Sequence, residues 1–170
     1  NESSGTINIY EGEISCYSNS DTYQRKVYGI YNKSNGAINI QGGTISSSSD
    51  EIYAYGIYNE SSGTISIYEG TIIVSCDRVR NAYGIYNYGS GIINVYDGLI
   101  NSTSNSGNST SRTTSYGIYN NSSGIINMKG GTINSSSWHN GNYQYACAYG
   151  LYNLGIMNIG IKGDGIVSKN

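Results

Sequence analysis

The sequence predicts an all-β fold: a right-handed parallel β-helix, or β-solenoid, with three short strands per coil and about 5–6 coils of 27–33 residues. Three observations predict it. The string Tyr-Gly-Ile-Tyr-Asn recurs at 28–32, 55–59, 83–87 and 116–120, with Tyr-Gly-Leu-Tyr-Asn at 149–153. A second string, Gly-x-Ile-x-Ile, opens the chain and then follows each copy of the first, with Val95, Met128 and Met157 standing for an isoleucine in the later copies. There is also no Pro, as expected where every strand must both donate and accept ladder hydrogen bonds.

The glycines of the first string, Gly29, Gly56, Gly84, Gly117 and Gly150, lie 27, 28, 33 and 33 residues apart. Self-similarity at such a period is the signature of a stacked-repeat architecture. Within each repeat the first strand is the Gly-x-Ile-x-Ile string, as in Gly5-Thr6-Ile7-Asn8-Ile9. Its apolar and polar residues alternate with period 2, so Ile7 and Ile9 are expected to face inward and Thr6 and Asn8 outward. A glycine follows (Gly12, Gly43, Gly70, Gly98 or Gly131) and supplies the backbone freedom for a corner. The second strand is Thr-Ile-x-x-Ser, as in 71–75, and a variable polar loop leads to Tyr-Gly-Ile-Tyr-Asn, the third strand. Asn-x-Ser-x-Gly, as in 32–36, turns the chain into the next copy.

A unit this short cannot bury its own apolar side, whereas stacked copies bury it by parallel pairing at about 4.8 Å per coil. Parallel crossovers are right-handed in nearly all cases, which sets the expected hand. Order thereby overrides composition. Gly, Ser and Asn make up 73 of 170 residues, a bias that alone would suggest disorder, yet the net charge is only −2.

Composition also excludes classes. Nine Lys and Arg against 11 Asp and Glu leave no basic field for nucleic acid. No apolar run reaches the length of a membrane-spanning helix. Cys16, Cys76 and Cys147 are too few and too scattered for a disulfide framework or a zinc site, and read as small buried hydrophobes. With no N-terminal Met and no signal-peptide pattern, residues 1–170 read as a single solenoid segment of a longer protein.

The repeated Tyr-Gly-Ile-Tyr-Asn and Gly-Thr-Ile-Asn-Ile strings resemble the repeat passengers of bacterial surface adhesins, including autotransporter passengers and large Gram-positive surface proteins. The resemblance covers essentially the whole sequence and rests mostly on core and corner positions. Its coils are longer than those of the filamentous-haemagglutinin type, and no anchor or translocator segment is seen. It implies a rigid, secreted or surface-displayed stalk with adhesive faces.

No catalytic residue, metal ligand or cofactor site is expected. Glu11, Glu69 and Asp97 share one repeat column, interrupted by Gly42 and Lys129, and read as solvated corners. His139 is the only histidine and reads as an exposed loop residue. The long polar stretches 101–115 and 134–148 precede the tyrosine string and are read as loops on one edge.

The tyrosines carry the functional expectation. Tyr28, Tyr55, Tyr83, Tyr116 and Tyr149 form one column, and Tyr31, Tyr58, Tyr86, Tyr119 and Tyr152 a second. With Ile30 and its equivalents inward, strict alternation puts the first column inside and the second outside, although a bend at the glycine would swap them. The second column is the candidate ligand-binding face, for a host or matrix protein or a glycan. Tyr10, Tyr68 and Tyr96 form a third, partial column outside its strand.

The expected function is thus a structural and adhesive segment of an extracellular or cell-surface bacterial protein. One alternative is a polysaccharide-binding or polysaccharide-degrading β-helix. A second is an end-to-end filament subunit, self-associating through open solenoid ends.

Overall fold

The computed structural model describes residues 1–19, 26–50, 53–77, 81–106, 112–121, 123–139 and 146–160. They form sixteen strands and no helix, so none long and apolar enough to cross a membrane. The first coil holds β1 (Ile7–Ile9), β2 (Glu13–Ser18) and β3 (Lys26–Asn32), and the second β4 (Ile38–Ile40), β5 (Thr44–Ser49) and β6 (Tyr53–Asn59). The third holds β7 (Thr64–Ile67), β8 (Thr71–Asp77) and β9 (Asn81–Asn87). The fourth holds β10 (Ile92–Val95), β11 (Leu99–Asn105) and β12 (Thr113–Asn120). Then come β13 (Ile125–Met128), β14 (Thr132–Trp138) and β15 (Ala146–Asn153), and β16 (Ile156–Ile159) begins a further turn.

Every strand pairs in parallel with its equivalent one coil away. The sheets run β1-β4-β7-β10-β13-β16, β2-β5-β8-β11-β14 and β3-β6-β9-β12-β15. This is the expected β-solenoid with three strands per coil. The register keeps like on like: Ile38 opposes Ile65, Ile93 opposes Ile65 and Ile126, and Ile57 opposes Ile85. Ile38, Ile65, Ile93, Ile57, Ile85 and Ile118 are wholly buried in one narrow core shared by all three sheets. The first corner depends on glycine as expected: Gly12, Gly43, Gly70, Gly98 and Gly131 have φ of 94°, 79°, 108°, 101° and 84°, where a side chain is strained.

Two readings of the polar stretches change. Residues 101–105 and 134–138 are strand, within β11 and β14, and 113–115 begin β12. The remainder at 107–111 and 140–145 lies outside the described residues. Past Ile100 in β11 and Ile133 in β14, which enter the core, the inward positions of these stretches are hydroxyls that pair with one another. Ser115 Oγ donates to Ser102 at 2.7 Å, Ser102 Oγ donates to Ser135 at 3.3 Å, and Thr113 Oγ1 lies 3.1 Å from Ser137 Oγ. Buried hydroxyls that satisfy each other avoid the cost of an unpaired polar group. His139 is half-buried just past the end of β14, rather than exposed in a loop.

Candidate functional site

The third sheet positions the tyrosines, and its glycines decide their direction. Val27 and Ile30 are both buried, which strict alternation over three residues forbids. The break falls at Gly29, which also faces inward. A Cβ there would meet Ile45 Cγ2 at 2.5 Å and the Gly56 carbonyl at 2.7 Å. Two consecutive inward positions, Gly29 and Ile30, turn both flanking tyrosines outward. The first column is therefore not inside: both columns share the outer face. Asn81 Nδ2 donating to the Tyr83 hydroxyl at 3.0 Å, with Ala82 between them in the core, fixes this side directly.

The strip is tightly ordered. In the first column Tyr55, Tyr83 and Tyr116 stack at 4.9 Å between centroids, with planes 6° and 3° apart. In the second, Tyr58, Tyr86 and Tyr119 stack at 5.2 and 4.9 Å, each pair 2° from parallel, and Tyr152 follows at 4.7 Å. Across the columns the rings stand edge to face: Tyr55 to Tyr58 and Tyr83 to Tyr86 at 89°, Tyr116 to Tyr119 at 87°. Parallel rings this close must be offset stacks. The two columns therefore form a herringbone, each ring face to face along its own column and edge to face with the other.

That herringbone sets what the strip presents. Ring faces are covered by the coils above and below, so ring edges and hydroxyls meet the solvent. Within the strip Tyr55 and Tyr83 are buried by their neighbours, and Tyr58, Tyr86 and Tyr119 are half-buried. Burial pushes the phenols of Tyr55, Tyr83 and Tyr86 far up and that of Tyr58 to about 12. Tyr31 departs from the pattern. It stacks on Tyr28 at 16° and meets Tyr58 edge-on at 76°, and its hydroxyl donates to Glu60. That bond, with partial burial, raises its phenol to about 12.

The inner corner beside the strip carries a ladder that the repeat pattern alone does not reveal. Asn32, Asn59, Asn87 and Asn120 are wholly buried. Along it Nδ2 donates to Oδ1 of the next coil: Asn1 to Asn32 at 3.0 Å, Asn32 to Asn59, Asn59 to Asn87 and Asn87 to Asn120 each at 2.8 Å, and Asn120 to Asn153 at 2.7 Å. Each of the four buried members also donates to the carbonyl of the glycine four residues on, as Asn59 does to Gly63 at 2.9 Å. A signal exists in the sequence: the same corner begins with Asn in every repeat, where a solvated turn would accept Asp or Ser as well.

The remaining candidates fall elsewhere. Glu11, Glu69 and Asp97 are exposed at their corner as expected. Lys129 does not belong to their column. Pairing of Val95 with Met128 puts Lys129 beside Tyr96 and Gly130 beside Asp97. The Lys129 ammonium accordingly lies 4.8 Å from the Tyr96 ring centroid, and Tyr96 stacks on Tyr68 at 4.8 Å. Glu69 and Asp97 border an open recess of about 360 Å³ over Gly42 and Gly43. No group of three or more metal-ligating side chains occurs among the described residues. Cys76 is buried, and Cys16 and Cys147 are half-buried.

The fold and strip define a parallel β-solenoid with an outward tyrosine herringbone. No protein-family model matches the sequence, and comparison with curated proteins and with solved structures finds no match.

Proposed function

We propose that the chain is a structural and adhesive β-solenoid segment of a secreted or surface-displayed bacterial protein, without catalytic activity. The observation that carries this reading is the strip itself, ten tyrosines in two columns on one face, stepping with the coils. Such a strip stiffens the rod by stacking and at the same time offers a row of hydroxyls about 4.8 Å apart. Tyrosine supplies large, amphipathic contact area at low entropic cost, a property that favours it at binding surfaces. Because the ring faces are covered, a partner is read by hydrogen bonds to hydroxyls and by contact with ring edges. An extracellular matrix protein or a glycan, each rich in exposed hydrogen-bonding groups, fits that chemistry.

A binding screen against glycans and matrix proteins tests the reading. Changing Tyr58, Tyr86 and Tyr119 together to Phe keeps the stack and removes the hydroxyls. Binding by the native protein, lost in this triple variant without a fall in melting temperature, is the expected result. Binding that survives the triple change would reduce the strip to a purely structural element.

A further inference from the structure

Six corners lead into the first strand of a coil, and they end at Gly5, Gly36, Gly63, Gly91, Gly124 and Gly155. The residue before the glycine is Ser4, Ser62, Ser90 or Ser123 in four of them and Leu154 in another. Only the corner at Gly36 carries an asparagine there, Asn35.

That single difference places reactive groups side by side. Asn35 is exposed at the turn between β3 and β4. The next residue has no side chain to shield its backbone nitrogen. The Gly36 N–H makes a long hydrogen bond, 3.4 Å to Ser34 Oγ. The turn is meanwhile held from both sides: Lys33 N donates to the Asn1 carbonyl at 2.9 Å, Ser34 Oγ donates to the Ser3 carbonyl, and Asn32 Nδ2 donates to the Gly36 carbonyl at 2.8 Å.

We propose that Asn35 is a self-modification site that converts with time to aspartate and isoaspartate, loosening the first steps of the asparagine ladder. The Gly36 nitrogen, once its proton is taken by hydroxide, attacks Cγ of Asn35. A new bond forms between that nitrogen and Cγ, the Cγ–Nδ2 bond breaks, and ammonia leaves with a proton from water. The cyclic imide then adds one water. Opening at one carbonyl gives aspartate, and opening at the other gives isoaspartate, with one extra carbon in the backbone. No redox partner is needed.

The site has structural consequences because Gly36 is tightly packed. A Cβ built on it would overlap Asn1 Nδ2 and the Gly5 carbonyl. An added backbone carbon displaces Gly36 against these neighbours and pulls its carbonyl from Asn32. Both Asn1 and Asn32 are ladder members. The product also carries a new negative charge within the corner where Lys33 approaches Glu2 at 3.9 Å.

The test is peptide mapping by mass spectrometry, with isoaspartate-specific methyl labelling, on the intact protein held at mildly alkaline pH. Position 35 is quantified separately from Asn140, the other asparagine that precedes a glycine, which lies outside the described residues. The native protein is expected to gain one mass unit at position 35 at a rate within tenfold of the same protein unfolded in urea. The converted fraction is expected to melt below the unconverted one, and Asn35→Ser to abolish conversion with the starting melting temperature kept. Position 35 remaining intact in the folded protein would overturn the proposal, and so would conversion that leaves the melting temperature unchanged.

Discussion

Asn59 Nδ2 donates to Asn87 Oδ1 at 2.8 Å across one coil, and both side chains are wholly buried. Each amide spends its donors on the next coil's oxygen and on its own corner's glycine carbonyl, so no polar group in the row is left open. The bonds all run in one direction along the rod. A row of this kind does for the corner what the isoleucines do for the core. It penalises any slip between coils, because a displaced amide would be left buried without its partner.

Space, rather than backbone conformation, fixes glycine in the tyrosine string. A Cβ on Gly84 would run into the Gly117 carbonyl and Ile100 Cγ2. Gly84→Ala is expected to cost about 1–3 kcal/mol, the range for forcing extra carbon into a packed core. Urea unfolding measures it, and an unchanged midpoint would mean the sheet can move aside.

Stacking in the strip is separable from bulk. Tyr83 lies between Tyr55 and Tyr116, so Tyr83→Ala removes a buried ring and is expected to cost about 3–5 kcal/mol. Tyr83→Phe loses only the bond from Asn81 and should cost about 1 kcal/mol. Near-equal losses in thermal unfolding would show that the hydroxyl, rather than the ring, carries the interaction.

Alkaline pH should unfold the protein in a defined window. Tyr31 and Tyr58 are raised from 10.0 to about 12 in the fold. Above pH 10 the native state therefore binds more protons than the unfolded state, and stability falls as pH rises. The contribution is complete below pH 10 and lost progressively between 10 and 12. Denaturation midpoints across that window, followed with tyrosinate absorbance, check it. Phenols ionising near pH 10 in a protein that stays folded would contradict the assignment.

What is legible in the sequence follows from what each feature depends on. The inward isoleucines and the corner glycines answer to local rules, alternation and positive φ, and these read directly from strings such as 5–12. The direction of Tyr28 depends on Gly29 meeting Ile45, a side chain from another sheet, and alternation alone therefore points to the wrong side. Placing Lys129 in the acidic column is a one-residue slip: Gly98 and Gly131, like Val95 and Met128, lie 33 residues apart, which already sets Gly130 beside Asp97. The asparagine ladder is visible as a repeated letter. Its burial is not, because a turn asparagine and a core asparagine are written alike.

Inward ladders lock the coils to one another, and one comparison tests this most directly. Asn87 and Asn94 lie in successive elements and both bond to asparagine in the next coil at 2.8 Å. Asn87 faces the interior, whereas Asn94 is half-buried on the outer face of its sheet. In urea unfolding, Asn87→Ala should lose about 2–4 kcal/mol, from a lost buried bond and stranded partners. Asn94→Ala should stay within about 0.5 kcal/mol, as surface changes do. Equal losses at the two sites, or a larger one at Asn94, would contradict the account.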